Sequence, residues 1–237
     1  MLGLLIQFLL SYLIIFGVEK GNLSCLGLSP NKERLKEMLL FLMIASTCSS
    51  LTFFLRMQFG QERWELNPLL DFKLLANGIW YILKSVLYEE LIFRGVLFYL
   101  LIKKIGGKYA LLISASAFGI YHWFTYEVFS DIQKMIWIFL MTSSAGIIYG
   151  LGYLKTGSLL IPISMHFGWN FVNAFMFSNG NIGSGIFIEI MPLPEVNVSY
   201  FIYFVVTLSH FILFFLINFF ILQRRNTYMH LIHSTSV

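Results

Sequence analysis

The sequence predicts an all-α fold: a polytopic transmembrane helix bundle of about seven spans with an intramembrane polar cavity. Three observations point there. Of the 237 residues, 58% are apolar and 12% charged, with 25 phenylalanines, against about 45–50% apolar and 25% charged in ordinary soluble domains. The apolar residues form long continuous runs, whereas a transmembrane barrel needs many short strands of alternating polarity. Most Lys and Arg residues fall between those runs. A soluble globule could not hide that much apolar surface, which excludes a soluble enzyme, a disordered tail and a fibrous repeat. The length suits a single integral membrane domain over residues 1–237. The formal charge of +4 comes without a clustered basic face, so the expected partner is the lipid bilayer and not nucleic acid.

A helix needs about 20 apolar residues to cross a bilayer. Seven runs qualify, at 2–18, 37–57, 74–102, 108–124, 134–154, 158–178 and 199–222. The first lacks a basic flank and a small-residue cleavage site, and reads as a retained helix. The third is long enough to be tilted, kinked or extended into water. Gly146 and Gly150 make a small-xxx-small pair on the fifth, a pattern for close helix packing. Residues 179–198, with three glycines and two prolines, read as a loop. Seven spans place Lys20, Lys32, Arg34, Lys36, Lys103, Lys104, Lys108, Lys155, Arg224 and Arg225 on one side, and only Arg56, Arg63, Lys73 and Lys134 on the other. The positive-inside rule then gives a multi-pass cell-membrane protein with an external N-terminus, a cytoplasmic C-terminus and an external 179–198 loop. Cys25 and Cys48 are too few for a disulfide framework or a cysteine metal site.

Ionisable residues at membrane depth are costly and mark function or pairing. The third span carries Lys84, Glu89, Glu90 and Arg94, the fourth His122, the sixth His166 and Asn170, and the seventh His210. Residues four apart share a helix face, so Glu90 faces Arg94 and the two can neutralise each other. Glu89 points about 100° away from Glu90 and becomes a candidate general base, with a structural charge network as the other reading. His166 and Asn170 share a face and could donate to a developing oxyanion. His122 could orient a water or share a proton with Glu89. Each histidine alone is equally compatible with an interhelical hydrogen bond, and His210 reads that way. The sequence has no H-E-x-x-H, G-x-S-x-G, Walker A or G-x-G-x-x-G motif. It also has no matched pair of interrupted helices of the transporter kind.

Glu89-Glu90-x-x-x-Arg94, Phe118-x-x-x-His122 and His166-x-x-x-Asn170 occur in that order and within spans. This pattern resembles the CPBP family, which contains the type II CAAX prenyl endopeptidases and bacterial Abi-like membrane proteases. The likeness covers residues 74–178, the expected catalytic core spans. It implies an intramembrane endopeptidase acting on a peptide or a membrane protein. Carried over by position, Glu89 and His122 would activate a water, His166 and Asn170 would support the oxyanion, and Glu90 and Arg94 would be structural. No cofactor is required in that scheme. The alternative is Zn2+ at Glu89, His122 and His166 with a water in the open position. The prenyl-protein substrate is not carried over with the fold. A non-catalytic immunity or binding protein on the same fold is the other functional reading.

Overall fold

Helix starts along the chain are marked by side-chain oxygens that accept the orphan N–H groups of a first turn. Asn31 Oδ1 accepts from the Arg34 N–H at 2.9 Å, Asp71 Oδ1 from Leu74 at 2.7 Å and Asp131 Oδ1 from Lys134 at 3.0 Å. The computed structural model describes residues 2–178, 185–190 and 197–225. Its helices are α1 (Leu2–Glu19), α2 (Lys32–Phe59), α3 (Phe72–Phe93), α4 (Val96–Ile105), α5 (Gly107–Thr125), α6 (Ile132–Thr156), α7 (Leu160–Asn170) and α8 (Tyr200–Gln223). A 3-10 turn covers Leu23–Leu26, and two short strands, β1 (Trp64–Leu66) and β2 (Phe187–Glu189), are added. The protein is therefore an all-α membrane bundle, and α1, α2, α6 and α8 are each long and apolar enough to cross a bilayer.

Three runs differ from the sequence expectation. The run 74–102 is two helices, because the chain breaks at Arg94-Gly95. A Cβ at Gly95 would lie 2.1 Å from the Leu91 carbonyl oxygen, so only glycine permits this turn. The run 158–178 is α7 followed by a π-helical turn over Phe171–Met176. Within 179–198, residues 187–189 pair antiparallel with β1, Trp64 opposite Glu189 and Leu66 opposite Phe187. The 179–184 and 191–196 parts of that loop, and the tail with His230 and His233, lie outside the described residues.

The chain forms two compact units, and the division falls within α2, α3, α7 and α8. The first takes residues up to Lys36, Leu87–Ile163 and those from Asn218. Its centre is the packing of α5 on α6 around buried Phe98, Phe118, Tyr149 and Tyr153. Gly150 lets α6 close on its neighbours, since a Cβ there would meet Leu111 Cδ1 at 2.4 Å. The second takes Glu37–Val86 and Ser164–Ile217. There Phe177 stacks on Phe53, ring centroids 4.5 Å apart, and on Phe187 of β2, while Trp64 of β1 meets Phe53 and Phe177 edge-on. Buried Asn67 ties that pair down through Gly185 O at 2.8 Å. Arg56 joins the end of α2 to Glu62 at 2.7 Å and to Glu189 on β2 at 3.7 Å.

Candidate active site

The last turn of α3 carries Glu89 and Glu90, and Arg94 follows directly after it, all three buried. Arg94 Nη1 donates to Glu90 Oε1 at 3.2 Å, one helical turn back, with both side chains wholly inaccessible. Its Nη2 donates to the Gly146 carbonyl of α6 at 3.2 Å. The guanidinium lies 4.2 Å from the centroid of Phe118 on α5 and 5.4 Å from that of Tyr149 on α6. A planar cation between aromatic faces is favourable in a desolvated interior. The end of α3 is also secured by Ser114 of α5, whose hydroxyl donates to the Phe93 carbonyl at 2.7 Å.

Glu89 points to α5. Its Oε2 lies 3.9 Å from Nε2 of His122, and both side chains are largely buried. His122 Nδ1 lies 2.7 Å from the Phe118 carbonyl oxygen. A carbonyl only accepts, so Nδ1 carries the proton and Nε2 is the nitrogen turned to Glu89. The imidazole is held edge-on by Phe118 at 4.5 Å and flanked by Tyr121 and Tyr126. At 3.9 Å the two groups are beyond a direct hydrogen bond. One water could be held by both.

His166 and Asn170 lie in the second unit, on α7, with His166 buried and Asn170 at the point where α winding gives way to the π turn. Such a transition interrupts the i→i+4 ladder and leaves carbonyls that need other donors. Here Ser46 of α2 donates to Gly168 O and Ser49 to Trp169 O, each at 3.3 Å. Asn173 Nδ2 donates to Trp169 O at 3.1 Å and also bonds Ser49. Gly168 permits this approach, for a Cβ there would lie 2.7 Å from Leu42 O. Behind it Trp169 stacks on His210 of α8 at 5.5 Å and 17°. His210 is thus a packing partner, and Lys84 sits over the Tyr81 ring at 5.6 Å.

Sequence reasoning did not single out Ser114, Gly146 O, Tyr149, Ser46, Ser49 or Asn173. Two carried a signal: Asn173 in its i+4 spacing from Trp169, and Gly146 in the small-xxx-small pair that marks close helix packing. Among the described residues, neither unit by itself groups three His, Cys, Asp or Glu side chains that could hold a metal ion. The first unit offers two such donors, Glu89 Oε2 and His122 Nε2.

This is a helical membrane protein that buries an acid, a histidine and an ion pair within its apolar core. Residues 71–172 match the family model of the Rce1-like type II CAAX prenyl endopeptidases. Over that segment, which holds the three motifs, the chain is similar to this family of CAAX prenyl endopeptidases. No curated protein and no solved structure matches the chain.

Proposed function

We propose that the chain hydrolyses a peptide bond of a peptide or membrane-associated protein, with Glu89 and His122 activating the attacking water. The observation that carries this reading is the pose of His122: Nδ1 is tied to Phe118 O at 2.7 Å, which leaves Nε2 facing Glu89 Oε2 at 3.9 Å. A water held between them gives one proton to the Glu89 carboxylate as its oxygen attacks the carbonyl carbon. His122 Nε2 accepts the second O–H and orients the lone pair. When the C–N bond breaks, Glu89 returns its proton to the leaving amine. His166 and Asn170 are assigned the oxyanion on the H-x-x-x-N motif and their shared face, because both side chains carry N–H donors. Glu90 and Arg94 serve as a structural pair.

This scheme takes its base from a carboxylate and its oxyanion donors from an imidazole and an amide, so it requires no metal. An Asn amide suits oxyanion donation better than zinc ligation. The Zn2+ alternative would use Glu89 and His122 with His166 as third ligand.

The test is terminal profiling of membrane-fraction proteins from cells carrying wild-type or Glu89→Gln protein. Glu89→Gln keeps shape and removes the base, and positioned base catalysis supplies about 10²–10⁴ in rate. Neo-termini should be present with the wild type and lost with the variant at equal protein level. Identical termini in both would overturn the reading.

A further inference from the structure

We propose that Arg94 and Phe118 are the positioning residues of His122, and that the ion pair at the end of α3 thereby acts on the reaction as well as on stability. The inference rests on the Glu89–His122 reading above. Phe118 touches His122 twice. Its carbonyl oxygen takes the Nδ1–H at 2.7 Å, and its ring meets the imidazole edge-on at 4.5 Å. The first contact selects the tautomer; the second limits rotation about the ring's own axis. Phe118 is in turn clamped by the Arg94 guanidinium, which lies over its ring 4.2 Å from the centroid.

Arg94 cannot drift, because two of its nitrogens are fixed on different helices, to Glu90 on α3 and to Gly146 O on α6. The Phe93 ring closes the cluster, T-shaped against Phe118 at 5.1 Å. The chain of contacts therefore runs from Gly146 through Arg94 and Phe118 to His122, with every member buried. Packed interiors transmit a displacement instead of absorbing it. A ring shift of a few tenths of an ångström at Phe118 would turn Nε2 away from Glu89. Lysine could neutralise Glu90 as well as arginine does, but it has neither the planar face for Phe118 nor a second fixed donor for Gly146. This gives a physical reason for a phenylalanine four residues before the histidine and an arginine four residues after the second glutamate.

Gly146→Ala tests this without touching Glu89 or His122. Its new methyl would sit 3.0 Å from Arg94 Nη2 and 3.3 Å from Phe118 Cδ1, so it pushes on the clamp while raising local helix propensity. Phe118→Leu removes the ring and keeps the carbonyl. The full-length protein is labelled with 15N-histidine, and the His122 signals among the five histidines are assigned by difference with His122→Gln. The wild type should show a single neutral tautomer with the proton on Nδ1. Both variants should show a mixture of tautomers and an altered His122 titration. Cleavage of a substrate found by terminal profiling should fall about tenfold in kcat with KM nearly unchanged, the order expected for misplacement of a reacting group. The double variant should lose no more than the worse single one, since both act through one ring. Unaltered His122 signals in Gly146→Ala, or losses that multiply in the double variant, would overturn the proposal. If Phe118→Leu does not accumulate, Gly146→Ala decides alone. Full activity in Glu89→Gln alongside shifted His122 signals would fault the water-activation reading and leave the positioning intact.

Discussion

Replacing Glu90 by Gln leaves Arg94 in the bundle with its charge and without its anion. Both side chains are wholly inaccessible and 3.2 Å apart, so no water can take over. An arginine does not deprotonate in proteins. Removing one partner of a buried pair costs about 3–5 kcal/mol, and a chain of this size loses roughly 2–4 °C per kcal/mol, which gives a melting-temperature drop of about 6–20 °C. Arg94→Leu should be comparable for a different reason. It removes the cation facing Glu90, the contact with the Phe118 ring, worth about 2 kcal/mol when desolvated, and the hydrogen bond to Gly146 O. The Glu90→Gln/Arg94→Leu double variant has no unpaired charge and should be more stable than the sum of the single losses by about 2 kcal/mol. Thermal unfolding of the detergent-extracted proteins reads these three variants and Glu89→Gln. Additive losses would refute the pairing argument. Equal losses in Glu89→Gln and Glu90→Gln would refute the division of the two glutamates into a base and a structural partner.

Other outcomes follow from the same geometry. His166→Ala and Asn170→Ala should each lower kcat by about 10²–10³, the size of one oxyanion donor, with melting temperatures close to wild type; unchanged turnover would remove them from the reaction. Burial, with the Glu19 carboxylate as second cause, pushes the Cys25 thiol up to about 11. A raised thiol pKa keeps it protonated, so at pH 7.5 maleimide should react roughly 10² slower than with an ordinary exposed cysteine. The rate should climb as pH approaches 11, and a fast reaction at neutral pH would contradict the burial. Cysteines introduced in 179–198 should label from outside the cell and those in 103–108 only after permeabilisation; the reverse pattern would overturn the orientation argued from loop charges. Gly95→Ala should destabilise the protein by well over the roughly 0.5 kcal/mol usual for a surface change, because its Cβ has to displace the Leu91 carbonyl. A melting temperature equal to wild type would show that the turn tolerates a side chain.

Much of the architecture is written locally. Apolar runs of 17 or more residues have one stable use in a bilayer, so the all-α membrane class follows from composition and run length. The positions of α1, α2, α5, α6 and α8 follow with it, to within a few residues. Spacing of four residues is equally local: it puts Glu90 beside Arg94, and His166 and Asn170 on one face, before any tertiary contact exists. The three motifs carry the family resemblance on the same terms, since each is a fixed offset along the chain.

The tertiary structure decided what no offset encodes. A glycine in an apolar run is usually tolerated inside a helix, and only the approach of Leu91 O to Gly95 turns one span into α3 and α4. The π turn after Asn170 depends on Ser46 and Ser49, more than 110 residues earlier in the chain, supplying donors for the carbonyls it leaves open. The pairing of Trp64–Leu66 with Phe187–Glu189 joins segments too short and too polar to announce themselves as strands. Periodicity states which residues share a face of one helix; it does not state which faces meet. The partner of Glu89 is on α5, and the arginine read as a local ion pair also grips α5 and α6, because burying a guanidinium requires more donors and aromatic faces than one turn of its own helix can offer.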